Sequence, residues 1–361
     1  MFDFIIIGGG IIGLLTAKEL QQTGAKVAVI EKNSPGQQAS WAAGGILSPM
    51  RPWLYTPAVN AISRISELGY EQLSTELHQR TGINPEWVKS GMLVINDEGI
   101  DDTQPWCQQN NLPNERLSCE QTNSRYPHLK PTEQDALLRP DVATIRPHRL
   151  LAALQIDLAN KGVTFFNGHE AQKFQIHHSQ ITGIQTNHAL LKAAEYIVCG
   201  GVWSPELLPD SLPKPDITAV KGQMICFPPV EIPDMCMIME GDRYIIPRLD
   251  GRIIVGSTRE KTGFDASTTQ QAFDELSTFA KQLFPTLENM TADYHWAGLR
   301  PTSPDSIAYI CRVEPYKNLS LNAGHYRNGI VTAPASARLM ADILLKKPTS
   351  VDPSPYQINR G

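Results

Sequence analysis

The chain opens on a short apolar run that predicts a buried strand. Residues 4–7 are apolar and mostly β-branched, and three glycines follow them directly. The next stretch, IIGLLTAKELQQTG (11–24), has the apolar spacing of a helix and ends at a glycine, as helices often do. A second apolar run, KVAVIE (26–31), predicts another strand. Strand, helix and strand in this order predict a βαβ unit in a parallel sheet.

Later segments alternate between helical and strand-like patterns. Helices are predicted over 60–80, 146–163 and 270–285. Strands are predicted over 163–166, 181–185, 196–201, 222–227, 243–247 and 252–257. The proline-rich stretch LPDSLPKPD (208–216) predicts a linker, because proline continues neither a helix nor a central strand. We therefore predict an α/β protein with a nucleotide-binding domain built from separated segments and an inserted domain richer in β-structure.

Composition limits the class of protein. The chain has 361 residues, of which 41% are hydrophobic and 19% charged, as in soluble proteins with room for two domains. A net charge of −5 offers no basic surface for nucleic acid or an anionic membrane. The start lacks the basic region of a signal peptide, and no apolar run reaches membrane-spanning length. We expect a cytoplasmic protein that binds neither nucleic acid nor membranes.

The cysteines and histidines show no metal-binding pattern. Six scattered cysteines contain no C-x-x-C pair, which is typical of a reducing compartment rather than of a disulfide framework. His177 and His178 are adjacent, but no third ligand accompanies them. We predict no metal site.

The first glycines carry the clearest chemical motif. Gly8, Gly10 and Gly13 form G-x-G-x-x-G between a predicted strand and a predicted helix. Such glycines allow the turn, the approach of a diphosphate and close helix–strand packing, and the helix N-terminus attracts the anion. Glu31 ends the next strand, where an acid can accept hydrogen bonds from a ribose diol. This context favours a dinucleotide cofactor over a purely structural turn, and it leaves NAD and FAD both open.

Seven stretches, the first of which contains this glycine motif, resemble one known family in their order and over nearly the whole chain. They are FIIIGGGIIGLLTAKEL (4–20), ASWAAGGILSP (39–49), VCGGVWSPEL (198–207), VKGQMI (220–225), RYIIPRLDGRIIVGSTRE (243–260), WAGLRPTSPD (296–305) and LNAGHYRNGIVTAPAS (321–336). The chain resembles the amino-acid oxidases related to D-amino acid oxidase, and within them the glycine oxidases associated with thiamine biosynthesis. The resemblance implies FAD as the cofactor and a Rossmann-like FAD-binding domain.

The resemblance also implies an inserted α+β substrate domain with a larger mixed or antiparallel sheet. We assign residues 1–83, 145–215 and 297–361 to the discontinuous FAD-binding domain. Residues 84–144 and 216–296 are assigned to the substrate domain.

The predicted cofactor-binding residues fall in small or glycine-bearing segments, where the backbone can approach a ligand. They are Gly8, Gly10, Ile11, Ile12, Gly13, Glu31, Lys32, Ser40, Ala42, Ala43, Gly44, Gly45, Ala171, Gly200, Gly201, Trp203, Arg300, Asn328, Gly329 and Ile330. Trp203 fits core packing equally well. Residues 328–330 precede a helix whose N-terminus would stabilise negative charge on reduced flavin, provided that Pro334 lies in its first turn. The alternative is an ordinary loop before a terminal helix.

Three residues are predicted to bind substrate. Arg300 has apolar neighbours in the stretch WAGLRP. It is either a surface residue in contact with water or a residue that binds an anion from outside the protein. By resemblance it is the clamp for the substrate carboxylate, and Tyr244 donates a second hydrogen bond to that carboxylate. Arg327 matches a residue at the edge of the family's active site, but it can also simply brace its loop.

The implied reaction is oxidative deamination by hydride transfer from the substrate α-carbon to flavin N5. For glycine the products are glyoxylate, ammonia and hydrogen peroxide, with dioxygen as the acceptor. Sarcosine and small D-amino acids are expected as secondary substrates. The alternatives are a D-amino acid or sarcosine oxidase, a dehydrogenase that does not use oxygen, or a non-catalytic flavin-binding module. Relatives form homo-oligomers, so we expect one here.

Four side chains near these motifs are left open or outside catalysis. His295 and His325 are interpreted as structural. Some sarcosine oxidases attach flavin to a cysteine shortly after the arginine–proline pair, whereas Cys311 lies further on, so we predict non-covalent FAD. Arg259 would favour acidic substrates if it pointed inward, and it would leave small amines preferred if it pointed outward.

Overall fold

The computed structural model describes residues 1–96, 99–232 and 236–360. The strands, numbered along the chain, are β1 (Phe2–Ile7), β2 (Val27–Glu31), β3 (Met92–Val94), β4 (Glu115–Leu117), β5 (Ala136–Arg139), β6 (Thr164–Asn167), β7 (Ala171–His177), β8 (Gln180–Thr186), β9 (Leu190–Leu191), β10 (Ala193–Val198), β11 (Thr218–Phe227), β12 (Met237–Glu240), β13 (Arg243–Pro247), β14 (Ile253–Gly256), β15 (Tyr294–Thr302), β16 (Tyr309–Arg312) and β17 (Leu319–Ala323). The helices are α1 (Ile11–Gln21), α2 (Pro57–Thr81), α3 (Ile100–Gln109), α4 (Cys119–Arg125), α5 (Pro147–Asn160), α6 (Ser204–Leu207), α7 (Gln270–Leu283) and α8 (Gly329–Leu344).

The first sheet is the predicted parallel one. Its order is β16-β17-β10-β1-β2-β6, and all its pairs are parallel except β16 with β17. Helices α1, α2, α5 and α8 share one apolar cluster on one face of this sheet. The opposite face is covered by the small antiparallel sheet β7-β8-β9. These strands are buried on both faces, which explains why β1 and β2 read as continuous apolar runs.

A second sheet of eight strands lies beside the first. Its order is β15-β11-β14-β13-β12-β3-β5-β4, and its pairs are antiparallel apart from β12 with β3. Side chains alternate between the two faces of a strand, so neighbouring residues serve different clusters. Ile225 and Ile245 belong to the cluster that includes α7, whereas Met224 and Tyr244 belong to the cluster on the other face. The fold-class prediction, a Rossmann-like domain combined with a larger mixed sheet, is confirmed.

Strand β15 extends across the domain boundary predicted between residues 296 and 297, because it pairs with β11 from Tyr294 to Thr302. Arg300 therefore projects from a strand of the larger sheet. Within the described ranges, no helix combines the length and apolar character needed to cross a membrane.

Candidate active site

One cavity between the two larger sheets brings the predicted site residues together. Arg300, Tyr244, Arg327 and all the predicted cofactor-binding residues except Gly13 line it. The cavity extends from Glu31 and Lys32 after β2, past the N-termini of α1 and α8, to Met224 on the larger sheet. This position follows the general rule that ligands of open α/β sheets bind at the carboxyl ends of parallel strands.

The glycine loop at the start of α1 is shaped by backbone contacts. Gly8 has a φ of +117°, and a Cβ there would lie 2.4 Å from the carbonyl oxygen of Cys199. A Cβ on Gly13 would lie 1.9 Å from the carbonyl oxygen of Gly8, so Gly13 stands behind the cavity and allows α1 to pack closely. Only glycine fits these two positions.

The N-terminus of α1 is open to an anion. Gly10 caps the helix without a side chain, and the first turn contains no acidic residue. Ser40 accepts a hydrogen bond from the N–H of Ile11 at 3.0 Å. No acidic side chain of the first turn neutralises the partial positive charge of the helix start, so this charge can attract a diphosphate.

Glu31 is fixed by backbone donors. Its carboxylate accepts hydrogen bonds from the N–H of Gly9 at 2.8 Å and from the N–H of Asn33 at 3.1 Å. A carboxylate can accept about four hydrogen bonds, so capacity remains for a diol. Nearby, the Lys32 ammonium lies 3.6 Å from the centroid of the Trp203 ring, which also stacks on Phe264.

Residues 42–45 form the wall between the two ends of the cavity. The indole N–H of Trp296 donates to the carbonyl oxygen of Ala42 at 3.1 Å. Arg248 donates to the carbonyl oxygen of Gly44 at 2.7 Å. Arg248 is buried, and burial together with the charge of Arg146 lowers its pKa to about 10. Arg248 was not predicted to belong to the site, although it lies in the family-like stretch RYIIPRLDG.

Helix α8 begins at Gly329, so Pro334 is its sixth residue and not part of its first turn. The expectation for Pro334 was therefore wrong. Proline lacks an N–H, which leaves the carbonyl oxygen of Ile330 without its helical partner. The hydroxyl of Tyr70 on α2 donates to that oxygen, and the N–H of Ala335 donates to Ser66, also on α2. Helix α2 thus compensates for the proline, while the uncapped start of α8 lines the cavity.

Arg300 lies in a slot that Gly222 makes possible. A Cβ on Gly222 would lie 2.0 Å from a guanidinium nitrogen of Arg300. Nη1 of Arg300 donates to the carbonyl oxygens of Lys221 at 3.3 Å and Thr258 at 3.2 Å, and Nη2 donates to the Ser257 hydroxyl at 2.7 Å. Burial lowers the pKa of Arg300, and the neighbouring Tyr244 opposes this shift.

The donor count of Arg300 indicates what it can bind. A guanidinium has five N–H donors, and the neutral acceptors above take three of them. Nε–H and one hydrogen of Nη2 donate to no carbonyl or carboxylate of the described chain, and the neutral Tyr244 hydroxyl lies beside the guanidinium. In the part of the chain that the structure describes, Arg300 forms no ion pair with a carboxylate. Two remaining donors on an uncompensated cation match one carboxylate from outside.

The side chains of Tyr244 on β13 and Met224 on β11 lie on the same face of the larger sheet. Strand β14 lies between these two strands, and its Gly256 pairs with both residues. A Cβ on Gly256 would lie 2.8 Å from the Tyr244 ring, so this glycine leaves room for it. The Tyr244 hydroxyl contacts the Met224 sulfur at 3.7 Å, a weak acceptor that an oxygen ligand would replace.

Arg327 has a different environment from Arg300. It donates to the carboxylate of Asp242 at 3.0 Å and to the sulfur of Met50 at 3.3 Å. Burial opposes its charge, but the hydrogen bond to Asp242 prevails and raises the pKa of Arg327. The contact joins the turn between β12 and β13 to the segment before α8, which fits the bracing interpretation.

The side chains left outside catalysis lie as follows. His325 is buried, its two ring nitrogens contact Thr332 and Asn322, and burial lowers its pKa to about 3. His295 packs against Phe273. Cys311 is buried in β16 and is not among the described residues that line the cavity. Arg259 is exposed and also lies outside that lining.

Comparison with known proteins identifies the family. Residues 3–343 match the family described as DAO, FAD dependent oxidoreductase. The chain belongs to this family. The resemblance and the FAD cofactor predicted from the sequence are thereby confirmed, and the protein is an FAD-dependent oxidoreductase.

Individual relatives match nearly the full length of this chain. A glycine oxidase of Pseudomonas putida is 38% identical over 98% of this chain and 97% of its own. A bifunctional protein ThiO/ThiG of Trichormus variabilis is 31% identical over 96% of this chain and 53% of its own. The crystal structure of glycine oxidase from Geobacillus kaustophilus has a TM-score of 0.94 at 25% identity, covering 100% of this chain and 99% of that chain.

The residues present fit FAD. The N-cap residue of α1, Gly10, has no side chain and the first turn of α1 has no acidic residue, and Gly8 and Gly13 meet neighbouring backbone where a Cβ would collide. At the other end, the start of α8 is equally free of acidic residues in its first turn. These two helix N-termini suit a diphosphate and a flavin that gains negative charge on reduction.

Proposed function

We propose that this protein oxidatively deaminates glycine, with sarcosine and small D-amino acids as secondary substrates. The proposal rests above all on Arg300, which lines a cavity that suits FAD and has only neutral acceptors among its hydrogen-bond partners in the described chain. The glycine oxidase of Pseudomonas putida and that of Geobacillus kaustophilus support the choice of substrate. Glycine, dioxygen and water give glyoxylate, ammonia and hydrogen peroxide.

In this proposal the protein mainly binds and orients the substrate. Arg300 holds the carboxylate through Nε–H and Nη2–H, and Tyr244 donates its hydroxyl to the same carboxylate. Pinning one end of a molecule as small as glycine fixes the direction of its α-C–H bond. When bound, FAD would supply N5 as the hydride acceptor and the means of passing the electrons to dioxygen.

The cofactor is proposed to bind without a covalent link. Gly8, Gly10 and the first turn of α1 would hold the diphosphate, and Glu31 would accept hydrogen bonds from the ribose. The backbone of residues 42–45 and 328–330 would surround the flavin. Acid precipitation should leave the yellow chromophore in the supernatant, whereas colour retained in the pellet would contradict this part.

The substrate amine has to be neutral for its lone pair to assist hydride departure. His325 cannot serve as the base, because both of its nitrogens are engaged and burial lowers its pKa to about 3. We infer that the substrate enters with its amine deprotonated or loses that proton to solvent. The imine product hydrolyses to glyoxylate and ammonia.

A role in the biosynthesis of the thiamine thiazole ring is part of the proposal. Its support is the ThiO/ThiG protein of Trichormus variabilis, in which a region similar to this chain occupies 53% of the length. The glycine-derived product would then be passed to a thiazole-forming reaction.

The decisive experiment reduces the holoenzyme anaerobically with glycine, sarcosine, D-alanine, D-proline and D-aspartate in turn. Loss of the oxidised-flavin absorbance with glycine, followed by peroxide on admitting air, is the expected result. If none of the five reduces the flavin, the amino-acid oxidase function is wrong. Flavin reduction without peroxide in air would favour a dehydrogenase.

A further inference from the structure

A buried lysine stands directly behind the Arg300 slot. Lys221 lies on β11, and only 1% of its side chain is exposed. Its ammonium contacts Glu260 at 3.3 Å, Asp265 at 3.2 Å and the carbonyl oxygen of Ser267 at 3.1 Å. The three protons of the ammonium thus match three acceptors. A buried lysine is costly unless it is fully paired, so this arrangement calls for a reason.

The partners of Lys221 belong to the segment that follows β14. The backbone N–H of Lys221 donates to the Glu260 carbonyl oxygen at 2.8 Å, and the Glu260 N–H donates to the Lys221 carbonyl oxygen at 3.0 Å. The Glu260 carboxylate in turn accepts from the Thr258 hydroxyl at 2.5 Å and from the Gln223 amide at 2.8 Å. Backbone pairing and side-chain bonds therefore fix residues 257–260 against β11.

The same two segments carry the acceptors of Arg300. Lys221 contributes its own carbonyl oxygen, Thr258 contributes another, and Ser257 contributes its hydroxyl. The strand and the following segment thus form the two sides of the slot, and the Lys221–Glu260 ion pair joins them. Without that pair, backbone pairing still joins the two sides, but their alignment is looser and the guanidinium can rotate.

We propose that Lys221 is a positioning residue that acts through Glu260 to orient the guanidinium of Arg300 for a substrate carboxylate. The inference rests on the proposed function of Arg300 as the carboxylate clamp. Lys221 itself does not line the cavity, so its effect reaches the substrate only through Arg300. Gly222, the next residue, provides the space, and Lys221 provides the alignment.

The test uses the holoenzyme and acetate, a carboxylate that cannot donate a hydride. The dissociation constant of acetate is measured from the absorbance change of the bound flavin. Lys221→Met is expected to raise it about tenfold, the effect of losing one well-placed charge-assisted hydrogen bond. Lys161→Met is the matched control, because Lys161 also pairs with a buried carboxylate, Asp157, but lies outside the cavity lining. It should leave acetate binding unchanged.

A double-mutant cycle separates positioning from general destabilisation. In an Arg300→Lys background, Lys221→Met should change the acetate constant by less than about twofold, because the group that it orients is gone. An equal loss in both backgrounds would mean a structural role and would overturn the inference. If Lys221→Met leaves the dissociation constant of acetate unchanged in the enzyme that retains Arg300, the inference is overturned as well.

Two further measurements keep the outcomes distinct. If Lys221→Met does not retain FAD, Glu260→Gln replaces it in the same cycle with the same expected results. If Arg300→Lys alone leaves acetate binding unchanged, the clamp itself is wrong and the proposed function fails. If Arg300→Lys weakens acetate binding but neither Lys221→Met nor Glu260→Gln does, only the positioning role is wrong.

Discussion

The two ends of the cavity are built from different materials. At the α1 end, backbone groups make the surface, and Gly8 and Gly13 are required because any Cβ would meet a carbonyl oxygen. At the other end, side chains on β11, β13 and β15 make the surface, and Arg300 depends on acceptors from separate segments. A backbone site is sensitive mainly to added atoms. A side-chain site is sensitive in addition to the loss of a charged group or of its partners. The predictions below test this difference.

The largest effect is expected at the backbone end, from Gly13→Ala. The new methyl group would lie 1.9 Å from the carbonyl oxygen of Gly8, so α1 has to move away from β1. We expect a protein that retains no measurable FAD after purification, as judged by its absorbance spectrum.

Gly69→Ala is the control for that substitution. Gly69 lies within α2 with no atom near a Cβ, so alanine should raise stability by up to about 1 kcal/mol and leave FAD bound. Equal FAD retention in the two variants would show that the α1 end tolerates added atoms after all.

The next effect is expected at the side-chain end, from Arg300→Met. The variant keeps similar bulk but lacks the charge that holds a carboxylate, so kcat/KM for glycine should fall about 10³-fold. FAD absorbance should persist, because the cofactor is held mainly by the other end. Arg243→Met, on the same strand as Tyr244 but paired with the exposed Glu275, is the control and should be near wild type. If Arg300→Met lost its FAD, the cofactor would depend on the side-chain end as well, which would contradict the proposed difference between the two ends.

A smaller effect is expected from Asp242→Asn. Asp242 neutralises Arg327 at the cavity, so its replacement leaves that guanidinium available to a second carboxylate. The ratio of kcat/KM for D-aspartate to that for glycine should rise about tenfold. Glu275→Gln removes a carboxylate paired with Arg243 and should not change the ratio. An unchanged ratio in Asp242→Asn would mean that Arg327 only braces its loop.

The smallest effect concerns His325, which supports the start of α8. Its pKa falls from 6.5 to about 3 on folding because it is buried. Between these values the unfolded chain binds a proton that the folded chain does not, so stability rises with pH in this window. The unfolding free energy of the native protein should therefore fall from pH 6.5 to pH 4.5. His325→Asn should reduce the slope of this fall by at most about 1.4 kcal/mol per pH unit. Denaturant titrations of both proteins at the two pH values measure this slope, and identical slopes would contradict a neutral His325.

Local patterns were enough to predict the first βαβ unit. The β1–α1–β2 unit, its glycines and Glu31 lie within 31 residues, and the hydrogen bond from Gly9 to Glu31 joins two of them. Helix α2, predicted over 60–80, spans Pro57–Thr81, and the strand predicted over 243–247 is β13. Resemblance to the amino-acid oxidases then added the cofactor and singled out Arg300 and Tyr244.

The carboxylate slot was decided by tertiary structure. The acceptors of Arg300 lie 42, 43 and 79 residues away in the chain, so no local spacing indicates them. The same holds for Pro334, whose place inside α8 depends on Tyr70 and Ser66 of a distant helix. Sequence alone determined which residues could form strands, turns and a charged fork. Only the pairing of β15 and β14 with β11 in the larger sheet determined which carbonyl and hydroxyl oxygens meet that fork, because long-range contacts depend on the whole fold rather than on nearby residues.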